Sequence, residues 1–213
     1  MDALALLLAD SRFPSGGYAH SLGLEQAVAD GLTDVPAFMR ARLALVAAAD
    51  ARVAVAARRG EDLMALDDEW CARCPSPPLR EAARRLGSQL LRSAATVWDD
   101  ERIAAYRAAS SATPRPVALG VVGAAAGLDD EAVALLALYD DAATVASAAL
   151  KLLPLDPALT ARWLAELAPD LQRAAREAAA DARPVADQPA PAAVALELAA
   201  TVHQRTRERL FAS

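Results

Sequence analysis

Lysine is almost missing. Lys151 is the only one among 22 basic residues, and Leu152 follows it where a phosphate-binding G-x-x-x-x-G-K-[ST] loop needs Ser or Thr. Histidine occurs twice, at His20 and His203, far apart and outside any ligand-spaced cluster such as H-E-x-x-H. There is no G-x-S-x-G elbow and no G-x-G-x-x-G, so neither a nucleotide fingerprint nor a nucleophile turn is present. Aromatic residues make up 4% of the chain, and β-branched Ile and Thr are sparse. That shortage argues against a sheet. No basic stripe interrupts a formal charge of −6, which argues against nucleic-acid binding. No uncharged run approaches the roughly 20 residues that span a bilayer. The opening MDALALLLA carries Asp2 and lacks a positive n-region, so it suits an amphipathic or buried first helix better than a signal peptide. A soluble, cytoplasmic protein is expected.

What is present is alanine, leucine and valine. Hydrophobic residues reach 55% of 213, enough for a sizeable core. Alanine is the best helix former, and small side chains let helices pack closely. The expected fold is all-α: one compact helical bundle of roughly eight to ten helices spanning residues 1–213. A connector and a mobile C-terminal tail occupy 184–213.

Apolar spacing places the main elements. Met39, Leu43, Val46, Val53 and Ala57 mark a helix over 36–59, with Pro36 in its first turn and Asp50 on the same stripe. A carboxylate there must reach water or find a structural partner. Leu79, Ala83, Leu86, Leu90 and Val97 mark a second helix, with Arg80, Arg84, Arg85 and Arg92 on a solvated face. PVALGVVGAAAGL at 116–128 suits a buried helix in which Gly120, Gly123 and Gly127 permit close backbone packing. Residues 129–153 follow, with Asp129 and Asp130 at the positive end and Lys151 at the other. Pro154 and Pro157 stop that helix, and a further one covers 158–182. PVADQPAP at 184–191 reads as an exposed connector.

WCARCP at 70–75 holds the only two cysteines, spaced C-x-x-C. In thiol–disulfide oxidoreductases such a pair sits at a helix N-terminus after a strand. Here the preceding EDLMALDDEW reads as helix, and two cysteines alone cannot close a zinc site. A redox enzyme using Cys71 and Cys74 remains the rival reading.

SRFPSGGYAHSLGLE at 11–25 is the most distinctive stretch. Pro14 restricts the chain before it, Gly16 and Gly17 can take positive φ, and Ser21 is a plausible N-cap. Glu25 then falls in the first turn of the next helix, where the dipole favours it. Asp10, Ser11, Pro14, Gly16, Gly17, Tyr18, Ala19, His20, Ser21, Gly23, Leu24 and Glu25 match in register the opening signature of the UreF urease accessory family. The chain resembles that family further on. RLGSQLLR at 85–92 is similar to its central glycine-bearing helix, SAALKLLPL at 147–155 to a later block, and His203 with RLFAS at 209–213 to its terminus. Asp156, Pro157, Gln204 and Glu208 depart from the family pattern.

The resemblance implies a non-enzymatic, usually dimeric, all-helical adaptor. It would bind the accessory protein UreD (UreH) and, through it, the GTPase UreG. The assembly would act on apo-urease, assisting GTP-dependent nickel insertion. No catalytic residue, tightly bound cofactor or resident metal site is implied, because nickel is handled by the assembled complex. With two histidines and no His-rich tract, weak nickel binding at most is expected of the chain alone. In the tail, Arg205, Arg207 and Arg209 can pair with carboxylates while Leu210 and Phe211 enter an apolar groove, so residues 201–213, His203 among them, are expected to order on UreD. The loop offers Tyr18 and His20 as a second contact, or merely turns the first helix onto the second.

Overall fold

The computed structural model describes residues 3–110, 112–203 and 210–211, with only the backbone of Tyr18. Every regular element among them is helical: α1 (Ala3–Ala9), α2 (Leu24–Ala29), α3 (Val35–Arg42), α4 (Ala48–Arg59), α5 (Leu63–Arg73), α6 (Pro77–Val97), α7 (Glu101–Ala109), α8 (Arg115–Ala125), α9 (Asp130–Leu152), α10 (Pro157–Ala180) and α11 (Val194–His203). This is the all-α architecture the composition predicts.

α3 and α4 form one rod through a π-helical segment at Leu43–Ala47. The wider turn inserts a residue into the helical count and rotates the faces that follow it. Buried Phe38, Met39 and Arg42 therefore give way to Ala47 and Ala51, while Leu43 and Val46 are only half-buried. The expected stripe is real at both ends and out of phase in the middle.

α4 is the central helix. One face joins Val53, Ala54 and Ala57 to α5, α6, α7 and α8, with Phe13 and Trp70 in the same cluster. Its other face joins Ala51 and Val55 to α2, α3, α9 and α10. Close approach between α4 and α8 depends on Gly120, where a Cβ would overlap Ala54 O and stand 2.6 Å from Ala57 Cβ. Gly123 lies under Val133 in the same way, but Gly127 does not pack. It takes φ +73 beyond the end of α8, the left-handed geometry that stops a helix.

Asp129 caps α9 by accepting the Ala132 N–H at 2.8 Å, and Asp130 joins Arg58 and Arg59. α9 is long and apolar enough to cross a membrane, yet half of its most apolar stretch is buried in the protein, as expected of a core helix. Pro157 ends the break after α9 by occupying the first turn of α10.

Three sequence-based expectations need correction, and one helix was not foreseen. α1 buries Leu8 but leaves Leu4, Leu6 and Leu7 exposed, so it is neither buried nor cleanly amphipathic. α7 has no counterpart in the apolar spacing; its local signal is Asp100, which caps it by accepting the Arg102 N–H. Arg80 and Arg84 are not on a solvated face: Arg80 holds the Cys74 and Pro75 carbonyls, and Arg84 is paired to Asp67. The 184–191 connector is mostly exposed but not loose. Val185 and Gln188 are buried, and Arg73 donates to both of their carbonyls.

Candidate partner-docking face

The loop before α2 is built as a rigid corner. Phe13 is buried and packs near Trp98, with ring centroids 6.2 Å apart. Pro14 O accepts from Ser93 Oγ at 2.8 Å and from Gln89 Nε2 at 3.3 Å, tying the loop to α6. Of the two adjacent glycines only Gly16 needs its freedom. It has φ +83, whereas Gly17 starts a 3-10 turn. Leu22 takes φ +53, a cost borne with help from Arg42, whose Nη1 donates to Leu22 O at 2.9 Å. Arg42 is itself clamped by Asp141 at 3.0 and 2.5 Å.

The N-cap of α2 is Gly23, with φ +88, and not Ser21. Ser21 contributes one step earlier: its carbonyl accepts the Leu24 N–H at 3.1 Å and its hydroxyl the Glu25 N–H at 3.4 Å. His20 is buried, so it offers no surface to a partner. Burial, reinforced by Arg85 and Arg115, pushes its pKa down to about 4, keeping the imidazole neutral. The Tyr18 side chain lies outside the described residues.

The chain terminus docks on this corner. Glu25 Oε1 accepts the Leu210 N–H at 2.6 Å and Oε2 accepts the Phe211 N–H at 3.0 Å. His203 is buried beside them, its Nε2 lying 3.4 Å from Glu25 Oε2 and 3.3 Å from Phe211 O. Phe211 belongs to the chain's own core, with Lys151 Nζ 5.1 Å above its ring. The expectation that Phe211 enters a partner's groove is therefore corrected, since its apolar surface is already covered. Leu210 is 61% exposed. Arg205, Arg207 and Arg209 lie outside the described residues.

Sequence reasoning missed the larger feature beside this terminus. Val194, Leu198 and Val202 recur every fourth residue on α11 and are 58%, 62% and 52% exposed. The i, i+4, i+8 spacing was legible, but such a stripe ordinarily marks a core-facing side. Here the core side is instead Ala200 and His203, with Leu196 against the second cluster.

The rival chemistry fares badly. α5 ends at Arg73, so Cys71 lies in its last turn and Cys74 caps its C-terminus, the end whose dipole disfavours a thiolate. Burial pushes Cys74 up to about 12, and Asp50 adds to the effect. Cys71 Sγ is engaged by Arg84 Nη2 at 2.9 Å and by Asp67 at 3.5 Å. Among the described residues no group of three His, Cys, Asp or Glu side chains is arranged to hold a metal.

Asp50 accepts the Trp70 indole N–H at 2.8 Å. Burial pushes its pKa up to about 6, opposed by that hydrogen bond, raised further by Asp141 and lowered by Arg42. The folded state thus holds this proton more tightly than the unfolded chain does. Its contribution is present below the ordinary carboxylate pKa and is lost as pH rises through about 6. Asp50→Asn should therefore gain thermal stability relative to wild type as pH is raised from 4 to 8. Melting curves across that range test this, and a constant difference at all pH values would contradict it.

The UreF family profile matches residues 34–168. The protein called urease accessory protein UreF from Mycobacterium marinum is 36% identical over 217 aligned positions, covering 99% of this chain and 98% of that one. Its namesake from Mycolicibacterium vanbaalenii is 37% identical over 223 positions, with the same coverage. The Mycobacterium tuberculosis relative is 37% identical over 195 positions, covering 87% of this chain and 89% of its own. With a family match over most of its length and full-length relatives above a third identical, the chain belongs to the UreF family of urease accessory proteins.

Proposed function

We propose that this protein is a non-enzymatic adaptor in urease maturation. It joins UreD (UreH) and the GTPase UreG on apo-urease, as a homodimer in the cytoplasm, and assists GTP-dependent insertion of nickel. Nickel is handled by the assembled complex rather than by a tightly bound site in this chain, and neither nucleic acid nor membrane is a partner. The observation that carries the reading is the exposed apolar row of Val194, Leu198 and Val202, with Leu210 also uncovered, on a terminus docked to the family's signature corner. Monomeric surfaces seldom expose large aliphatic side chains in a row, and such a row suits a partner helix or sheet face. UreD is the partner assigned to it. Leu210 and the α11 face carry the contact expected of the tail, since Phe211 is committed to the core.

The test is co-expression with UreD, UreG and apo-urease, scoring co-purification and nickel-dependent urease activity. The wild-type chain should form the complex. Leu198→Glu combined with Val202→Glu should reduce UreD recovery about tenfold or more while leaving helicity intact, as expected for losing buried apolar contacts. Cys71→Ser with Cys74→Ser should leave activation in place. Unchanged UreD recovery in the α11 variant would sink the surface assignment, and loss of activation in the cysteine variant would favour thiol chemistry.

A further inference from the structure

α11 carries the docking face, yet it is lightly rooted in the bundle. It fully buries only Ala200 and His203, with Leu196 half-buried against the second cluster. Its first turn does not close on the neighbouring helices. Ala193, Leu196 and Glu197 form part of the wall of a cavity of about 170 Å³, whose other walls include Val46, Leu86 and Leu119. Side-chain packing therefore does little to fix the N-terminal half of α11, and its placement depends on what holds its two ends. At the C-terminal end, Glu25 and His203 hold the returning chain. At the other end the chain enters α11 from a short 3-10 turn at Val185–Asp187.

That turn is pinned from α5. Arg73 Nη1 donates to Gln188 O at 3.1 Å, and Nη2 donates to Val185 O. Glu69 Oε2 lies 3.8 Å from Nη2 but is half in solvent, so the two carbonyls are the guanidinium's main partners. The planar fork suits this task, because it bridges two acceptors that a lysine ammonium cannot hold in the same geometry. The turn is also closed on itself, with Gln188 Nε2 donating to Arg183 O at 2.7 Å and the Val185 side chain in the first core cluster. Only Pro189 to Ala193 separate Gln188 from α11, and Pro189 and Pro191 fix φ at two of those positions. So short and stiff a link transmits the placement of Gln188 to the helix. We infer that Arg73 is the positioning residue of the docking face: by holding Val185 and Gln188 it sets where Val194, Leu198 and Val202 stand. The inference rests on the assignment of that apolar row to UreD.

The experiment is hydrogen exchange on the full chain, paired with UreD recovery on co-expression. Arg73→Met keeps the aliphatic bulk and removes both charge-assisted donors. Exchange at Leu198, Ala199 and Ala200 should accelerate about tenfold or more, while amides in α4, α8 and α9 keep their protection. UreD recovery should fall about fivefold or more. Arg73→Lys keeps the charge without the fork, so it should lie between wild type and Arg73→Met in both readouts. Melting curves verify folding, and the lysine variant keeps the test decisive if the methionine variant does not fold. Adding Arg73→Met to the Leu198→Glu, Val202→Glu variant should lower recovery no further, since Arg73 acts only through α11. Unchanged exchange in α11, or acceleration that reaches α4 and α8 as well, would overturn the inference. So would UreD recovery that survives Arg73→Met while the α11 variant loses it. Recovery intact in both variants would strike the UreD assignment instead, and the exchange rates would still decide whether Arg73 places α11.

Discussion

Gly120→Val should cost about 3 kcal/mol or more and lower the melting temperature by roughly 6–12 °C. Gly120 sits in the buried middle of α8, facing the backbone of α4 rather than a side chain that could swing aside. Any Cβ would overlap Ala54 O, reach within 2.6 Å of Ala57 Cβ and lie 2.9 Å from Arg58 N. Accommodating it means separating α4 from α8, which opens the cluster containing Val53, Val117, Val121 and Val122. Intrinsic propensity works the other way, because a non-glycine residue favours helix by up to about 1 kcal/mol. The clash wins because it displaces two packed rods. Gly60→Ala supplies the contrast. Gly60 has open space and φ +87, so only backbone strain of about 1 kcal/mol is expected. Circular-dichroism melts decide the matter, and a Gly120→Val melt within a degree or two of wild type would contradict the packing argument.

That glycine also marks how far the sequence was readable. A buried helix of small residues at 116–128 follows from composition and spacing, and close packing at Gly120 and Gly123 follows from the cost of glycine in a helix. Gly127 defeats the same argument because a stop signal and a packing signal are the same residue. α9 is legible at both ends, since Asp129 and Lys151 obey local rules. The π segment is not, because one inserted residue rotates a face without altering composition. Arg84 and Arg85 are neighbours in the same helix pattern, yet Arg84 reaches Asp67 and Arg85 only Glu81 one turn away. Nothing local separates them, since the difference arises when α5 packs on α6. The docking face divides in the same manner. Its signature corner was legible as a turn, and the tail as a segment with apolar residues near its end. That Phe211 returns to Glu25, across 186 positions, is a tertiary fact invisible to periodicity.

Glu25→Ala should release the terminus. In wild type the carboxylate accepts two backbone amides, Leu210 at 2.6 Å and Phe211 at 3.0 Å. Hydrogen bonds to a charged acceptor contribute about 1.5–3 kcal/mol each, so losing both lowers the local closing energy by about 3 kcal/mol. That corresponds to roughly 10²-fold more of the undocked state. Hydrogen exchange at Leu210 and Phe211 should accelerate by about that factor, while amides in α4 and α9 should keep their protection, since the corner itself is held by Arg42, Ser93 and Gln89. Glu25→Gln keeps an acceptor oxygen but loses the charge and the second oxygen, so it should fall between, near tenfold. Unaltered exchange at both amides in Glu25→Ala would mean that Phe211 burial alone seats the terminus. Acceleration spread through α4 would mean that the corner and the core unfold together. Selective acceleration separates the two roles of residues 11–25: a fixed corner for the fold, and a carboxylate at the start of α2 that holds the other end of the chain beside the exposed face of α11.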